Sequence, residues 1–304
     1  MSTNVEKPNV LMLGSGILQA YGGMSWNTYL ESIADDKSLL QDEEFKKCPY
    51  PLQAIILTSD RINEKLKNKK KALLDPQVTS DGYEFYRMIL QSGFDHILTT
   101  NYTYELEAAS LGEEKISKYR IKNMQVRTQE KAEMRYMLHT YYQVNYGGKE
   151  NRIWHIHGEH RKPQSIVLGH YYYGNLLYMI KDEISKIDNN RWGKNQHIQR
   201  GASWLDAFLF GNIYCLGFGF GVSEFDLWWL LNRKAREKGN VGKFYFYEPQ
   251  ATKYDPKYTL FKSLKNCYGE RLVEMIDFNY AIEGGNSYPA FYHNALMDIQ
   301  KKIM

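Results

Sequence analysis

Cysteine is scarce in this chain: Cys48, Cys215 and Cys267 are the whole supply in 304 residues. Three scattered thiols cannot make a disulfide framework or a four-cysteine zinc ribbon, which excludes the small stapled folds and suits a reducing cytoplasm. No charge of one sign dominates, since 39 Lys and Arg face 35 Asp and Glu for a formal charge of +4. That balance argues against a nucleic-acid platform or a membrane-surface binder, and the run Lys67 to Lys71 reads as a solvated helix end. Long apolar runs are missing too. The stretch Trp204 to Gly221 is interrupted by Asp206, Asn212 and several glycines. It reads as an amphipathic helix, a Gly-Asn turn and a buried strand rather than a membrane span. Residues 1 to 8 are polar and the first apolar run, Val10 to Leu13, is only a strand long, so no targeting segment is expected and the location expected is cytoplasmic.

What is present is apolar mass: 43% of residues are hydrophobic and 14% aromatic, enough for a large core in a single domain over residues 1–304. Strands alternate with helices. Asn9 to Leu13 runs into Gly14-Ser15-Gly16, and a helix over Trp26 to Ile33 follows, with Ser25 as its cap. Residues 35 to 94 look helical, and Gly93 ends that layer before the strand Ile97-Leu98-Thr99-Thr100-Asn101-Tyr102. The stretch from about 111 to 150 breaks the rhythm and is read as a helical insertion or cap, rich in Tyr136, Tyr141, Tyr142 and Tyr146. Then come the strand Ile153 to Gly158, a short strand Ser165 to Leu168, a helix from Tyr171 to about Ile187, and a polar loop at Asn189 to Gly193. Ile213 to Leu216 leads into Gly217-Phe218-Gly219-Phe220-Gly221 and a helix over Phe225 to Arg236; Lys243 to Tyr247 and Leu272 to Phe278 close the sheet, with a helix between them. The expected fold is α/β, a Rossmann-like, mostly parallel sheet with helices on both faces and a helical cap.

In such a sheet ligands bind outside the carboxyl ends of the strands. Two glycine turns, at Gly14 to Gly16 and at Gly217 to Gly221, therefore suggest a site for a dinucleotide, because glycine lets backbone approach a diphosphate closely. Gly-x-Gly alone is equally a plain tight turn. Asn101, at a strand end, is either a helix cap or an amide facing the same cleft. His155, His157 and His160 could bind a metal, could be hydrogen-bonded core groups, or could supply a base, since imidazole titrates near neutral pH.

Taken in order, Gly14-Ser15-Gly16, Thr99-Thr100-Asn101-Tyr102, Ile156-His157-Gly158 with Ser165 to Leu168 and a following Tyr, and Gly217-Phe218-Gly219 before an Asp resemble the SIR2-like, sirtuin-related family. The resemblance spans about residues 9 to 280 and is closest to the prokaryotic branch associated with antiphage defence. It implies Asn101 and His157 as catalytic residues. It implies NAD as substrate, with Gly14, Ser15, Gly16, Thr100, Gly217, Phe218, Gly219, Phe220 and Asp226 around it. The deacylases of that family carry a four-cysteine zinc module and an acidic residue two after the Asn. Here the cysteines are missing and Thr103 takes that place, so no zinc is expected and the implied activity is hydrolysis of the nicotinamide-ribose bond, depleting NAD. An NAD-dependent deacylase or ADP-ribosyltransferase, and a non-catalytic NAD-binding sensor or scaffold, are the alternatives. A constitutive hydrolase of this kind would kill its own cell, and the motifs leave no room for a sensor domain. A companion protein or oligomer is therefore expected to gate it, docking on the tyrosine-rich insertion or the Trp192 loop.

Overall fold

The computed structural model describes residues 7–73, 78–111, 126–128, 136–192, 203–237, 241–249, 256–268, 273–278 and 288–303. Its centre is β1 (Asn9–Leu13), whose alternate side chains face opposite ways: Val10 and Met12 enter one core and Leu11 and Leu13 the other. The same split runs through β2 (His96–Thr99), β5 (Lys149–His155) and β6 (Asn212–Leu216), so both faces of the sheet need a covering layer. Beyond β6 lie β7 (Phe244–Pro249) and β8 (Val273–Phe278). These six strands are all parallel and stand in the order β5-β2-β1-β6-β7-β8. Numbered among themselves, that is the 3-2-1-4-5-6 order of a doubly wound sheet, with its switch point between β1 and β6.

One face is covered by α2 (Trp26–Ile33), α4 (Tyr50–Leu57), α5 (Ile62–Leu73), α8 (His170–Trp192), α9 (Trp204–Phe210) and α10 (Phe225–Ala235). The other is covered by α1 (Ser15–Ala20), α6 (Ser80–Gln91), α7 (Glu105–Leu111) and α12 (Tyr288–Ile303). A short α3 (Glu43–Lys46) precedes α4, and α11 (Pro256–Tyr268) lies between β7 and β8. The helix starts follow from sequence. The Ser25 hydroxyl accepts the Thr28 N–H, the Thr79 hydroxyl accepts the Gly82 N–H, and Ser203 with Asp206 forms a capping box. The C-terminal end of α9 is held by a buried lysine, Lys234, whose Nζ donates to the carbonyls of Phe208, Leu209 and Gly211 at 3.1, 3.0 and 2.8 Å.

Three elements differ from expectation. The described part of the 111–150 insertion is β rather than helical: β4 (Thr140–Tyr146) extends the sheet antiparallel to β5, and β3 (Val126–Thr128) pairs with β4; residues 112–125 and 129–135 lie outside the described residues. The signal was Gly147-Gly148 between alternating aromatic and β-branched residues, a two-residue hairpin loop with both glycines at positive φ. Ser165 to Leu168 is no strand but a single 3-10 turn (Pro163–Ser165) and an extended tail. Single bonds hold that tail instead of a ladder: the Val167 N–H to the His157 carbonyl and the Tyr102 hydroxyl to the Val167 carbonyl. The polar stretch Asn189 to Trp192 continues α8, and residues 193–202 lie outside the described residues.

Tyr136, Tyr141 and Tyr142 are buried, with Tyr142 only 1% exposed, so these insertion tyrosines are packing and not a docking face. Among the described residues, no helix is long and apolar enough to cross a membrane.

Candidate functional site

At the switch point the β1 and β6 loops are laced together. The Gly14 N–H donates to the Leu216 carbonyl at 3.1 Å and the Gly16 N–H to the Gly217 carbonyl at 2.8 Å. A Cβ on Gly14 would stand 2.4 Å from both the Gly217 oxygen and the Phe218 Cα, so only glycine permits this approach. The helix after the turn starts at once, at Ser15. These glycines thus bring two loops together, and Gly14, Gly16 and Gly217 are not on the wall of the adjoining cavity.

That cavity has a volume of about 380 Å³, within the range of ligand pockets. Ser15, Thr100, Asn101, His157, Phe218, Gly219 and Phe220, all expected at the site, line it. Asp226 does not. It is fully buried behind the wall, and its Oδ2 lies 3.0 Å from Nε2 of His157. The carboxylate accepts the Nε2 hydrogen, so in the neutral ring the lone pair sits on Nδ1, which faces Glu224 Oε2 at 3.9 Å. Burial pushes the His157 imidazole down in pKa, but the charge of Asp226, its hydrogen bond and the charge of Glu224 outweigh it, and the net shift is upward. Tyr173 packs edge-on against the ring and donates its hydroxyl to Glu224 at 3.0 Å.

Asn101, also on the cavity wall, is not a helix cap, since α7 begins only at Glu105. Its peptide is held on both sides: its N–H donates to the Thr99 hydroxyl at 3.1 Å, and its carbonyl lies 2.9 Å from Nδ1 of His155. Its side-chain amide makes no hydrogen bond among the described residues, so it remains available to a ligand.

One end of the cavity is an aromatic box that the sequence did not advertise. Trp26 stacks on Tyr29 with ring centroids 5.5 Å apart, and Tyr102 and His160 pack beside them. Four of the lining residues carry buried polar atoms with no partner among the described residues: Trp26 Nε1, Tyr29 Oη, both ring nitrogens of His160, and Glu105 Oε1. Buried polar groups left unmatched are costly, and here a polar planar ligand would match them. Burial and the charge of His155 hold His160 neutral, at a pKa of about 3, so it can both donate and accept. Burial lifts Glu105 to about 7 against the opposing hydrogen bond from Thr103.

Sequence reasoning missed Glu224, Glu105 and the box. The one available signal was the Ser25 cap, which aims the start of α2, and with it Trp26, at the cavity rim. Among the described residues, the one set of His, Cys, Asp or Glu with ligand-type atoms all within 4.8 Å is His157, Glu224 and Asp226. His155 and His160 do not join it. Within the trio, Nε2 of His157 lies 3.0 Å from Oδ2 of Asp226, and Glu224 accepts the Tyr173 hydroxyl at 3.0 Å. No family model and no curated protein matches this chain.

Proposed function

We propose that this chain is a SIR2-like NAD hydrolase that releases nicotinamide and ADP-ribose. One observation carries the reading: the imidazole of His157, backed from behind the wall by the Asp226 carboxylate, and the uncommitted amide of Asn101 line one cavity at the switch point of a 3-2-1-4-5-6 sheet. In the reaction the C1′–N bond of the nicotinamide ribose breaks, and its electron pair passes to the pyridinium nitrogen, leaving neutral nicotinamide. Water adds to C1′ and gives up a proton. Asn101 would hold that water or a ribose hydroxyl through its amide, and Nδ1 of His157 would take the proton while Asp226 keeps the ring oriented. The box of Trp26, Tyr29, Tyr102 and His160 offers a stacking face and unmatched donors and acceptors for a planar ring bearing a carboxamide. The loops at Ser15 and at Phe218 to Phe220 would flank the rest of the dinucleotide.

We further propose that turnover is gated from outside this chain, by a companion protein or by oligomer formation, in antiphage defence. The test is incubation of the purified chain with NAD, alone and with the products of adjacent genes, followed by chromatography. Nicotinamide and ADP-ribose in equal amounts, raised by a companion or by concentration, are expected. An ADP-ribosylated protein in place of free ADP-ribose would move the reading to a transferase, and nicotinamide released only when an acylated peptide is added would move it to a deacylase. Bound NAD that never turns over would leave a binding subunit.

A further inference from the structure

His155 does not line the cavity and is 1% exposed, so it cannot touch a ligand. Yet its ring joins two groups: Nδ1 lies 2.9 Å from the carbonyl of half-buried Asn101 and Nε2 lies 3.0 Å from Oε1 of Glu107, a fully buried residue of α7. A carbonyl only accepts, so Nδ1 carries a hydrogen; with Nε2 also protonated the ring donates to both partners at once. Position 155 lies between Trp154 and Ile156, both wholly buried. An apolar pair at 155 and 107 would match the ion pair in stability or exceed it, because desolvating two charges offsets most of their attraction. A local conflict of this kind falls at working sites.

We infer that His155, locked by Glu107, is a positioning residue that holds the Asn101 peptide so that the Asn101 amide projects into the cavity. This rests on the reading of Asn101 as a working amide. The clamp is completed from the other side by the Thr99 hydroxyl on the Asn101 N–H. It is braced from behind, where the Tyr104 and Tyr142 rings pack on His155 at centroid distances of 5.3 and 5.7 Å. Both tyrosine hydroxyls are in turn anchored on Oε2 of Glu159.

Two near-isosteric substitutions separate the two bonds. Asn places its amide nitrogen where Nδ1 stands and can still reach the Asn101 carbonyl; Gln places its amide where Nε2 stands and reaches only Glu107. His155→Gln is expected to lower kcat for nicotinamide release at least tenfold with KM for NAD within threefold of wild type, and His155→Asn to recover most of that loss. A merely structural role predicts the same effect for both, so equal kcat values in the two folded variants would overturn the clamp. A readout independent of turnover is the side-chain amide resonance pair of Asn101, identified by its disappearance in Asn101→Ala. The pair should shift or broaden in His155→Gln and stay near its wild-type position in His155→Asn; an unmoved pair in both would also overturn the inference. If His155→Gln does not fold, the double variant His155→Phe with Glu107→Leu leaves neither charge stranded and takes its place in both measurements. Wild-type protein that leaves NAD intact while the resonances still move would sink the proposed activity and keep the clamp.

Discussion

Nε2 of His157 lies 3.0 Å from Oδ2 of Asp226, a residue 69 positions later in the chain. The imidazole comes from just past the end of β5 and the carboxylate from the first turn of α10. The pair fixes which ring nitrogen can act on a ligand, and it supports the first prediction. His157→Ala and Asn101→Ala should each lower nicotinamide release by about 10²–10⁴, the usual loss on removing a positioned group. Asp226→Asn should fall between them and wild type, because it keeps the shape and loses the charge. Turnover by His157→Ala above one tenth of wild type would contradict the assignment.

Stability should depend on pH through His155. Burial pushes its pKa down, but the charge and hydrogen bond of Glu107, then Glu159 and the Asn101 carbonyl, raise it to about 9. The folded pKa is above the ordinary imidazole value of 6.5, so the folded state holds the proton more tightly. Its contribution is complete below 6.5 and is lost as pH rises through 9. Unfolding free energies from denaturant titration of wild type and of His155→Phe with Glu107→Leu, measured on both sides of that window, should differ by a few kcal/mol in their pH response. Parallel pH profiles for the two proteins would exclude the linkage.

Gly14→Ala should destabilise the fold by roughly 1–3 kcal/mol, the range for forcing extra volume into a packed site. Its Cβ would meet backbone of the β6 loop at 2.4 Å, and backbone cannot swing aside as a flexible side chain can. Ligand binding should weaken with it, since Ser15 and Phe218 stand on the two loops pushed apart. An unchanged unfolding midpoint would show that the loops separate freely.

Lys234→Met should cost on the order of 3 kcal/mol, because the carbonyls of Phe208, Leu209 and Gly211 lose their shared donor inside the core. Urea denaturation measures it. As the Lys234 amine lies outside the cavity wall, any loss of activity should follow the folded fraction alone.

Chelator-treated protein, checked by metal analysis, should keep both its fold and its nicotinamide release. Activity that vanishes on chelation and returns with one divalent cation would instead make His157, Glu224 and Asp226 a coordination set.

The sequence by itself determined the alternating core. Val10 and Met12 against Leu11 and Leu13, and the same split in Ile213 to Leu216, commit each strand to two buried faces, and that pattern is local. It also determined the helix starts at Ser25 and Ser203 and the strand-end positions of Asn101 and His157, because caps and strand ends depend on neighbouring residues. Tertiary structure decided the rest. The 111–150 stretch reads from sequence as a helical insertion, yet β4 pairs with β5 across the Gly147-Gly148 loop and buries Tyr141 and Tyr142. Ser165 to Leu168 has strand composition, yet an extended segment becomes a strand only where a neighbour offers a ladder, and here Tyr102 and His157 offer single bonds. The roles of the three histidines were invisible in their spacing. His157 meets Asp226, His155 meets Glu107 and the Asn101 carbonyl, and the His160 ring sits among aromatic rings with neither nitrogen bonded among the described residues. What an imidazole does is set by the groups that surround it in space, and those groups come from residues far apart in the chain.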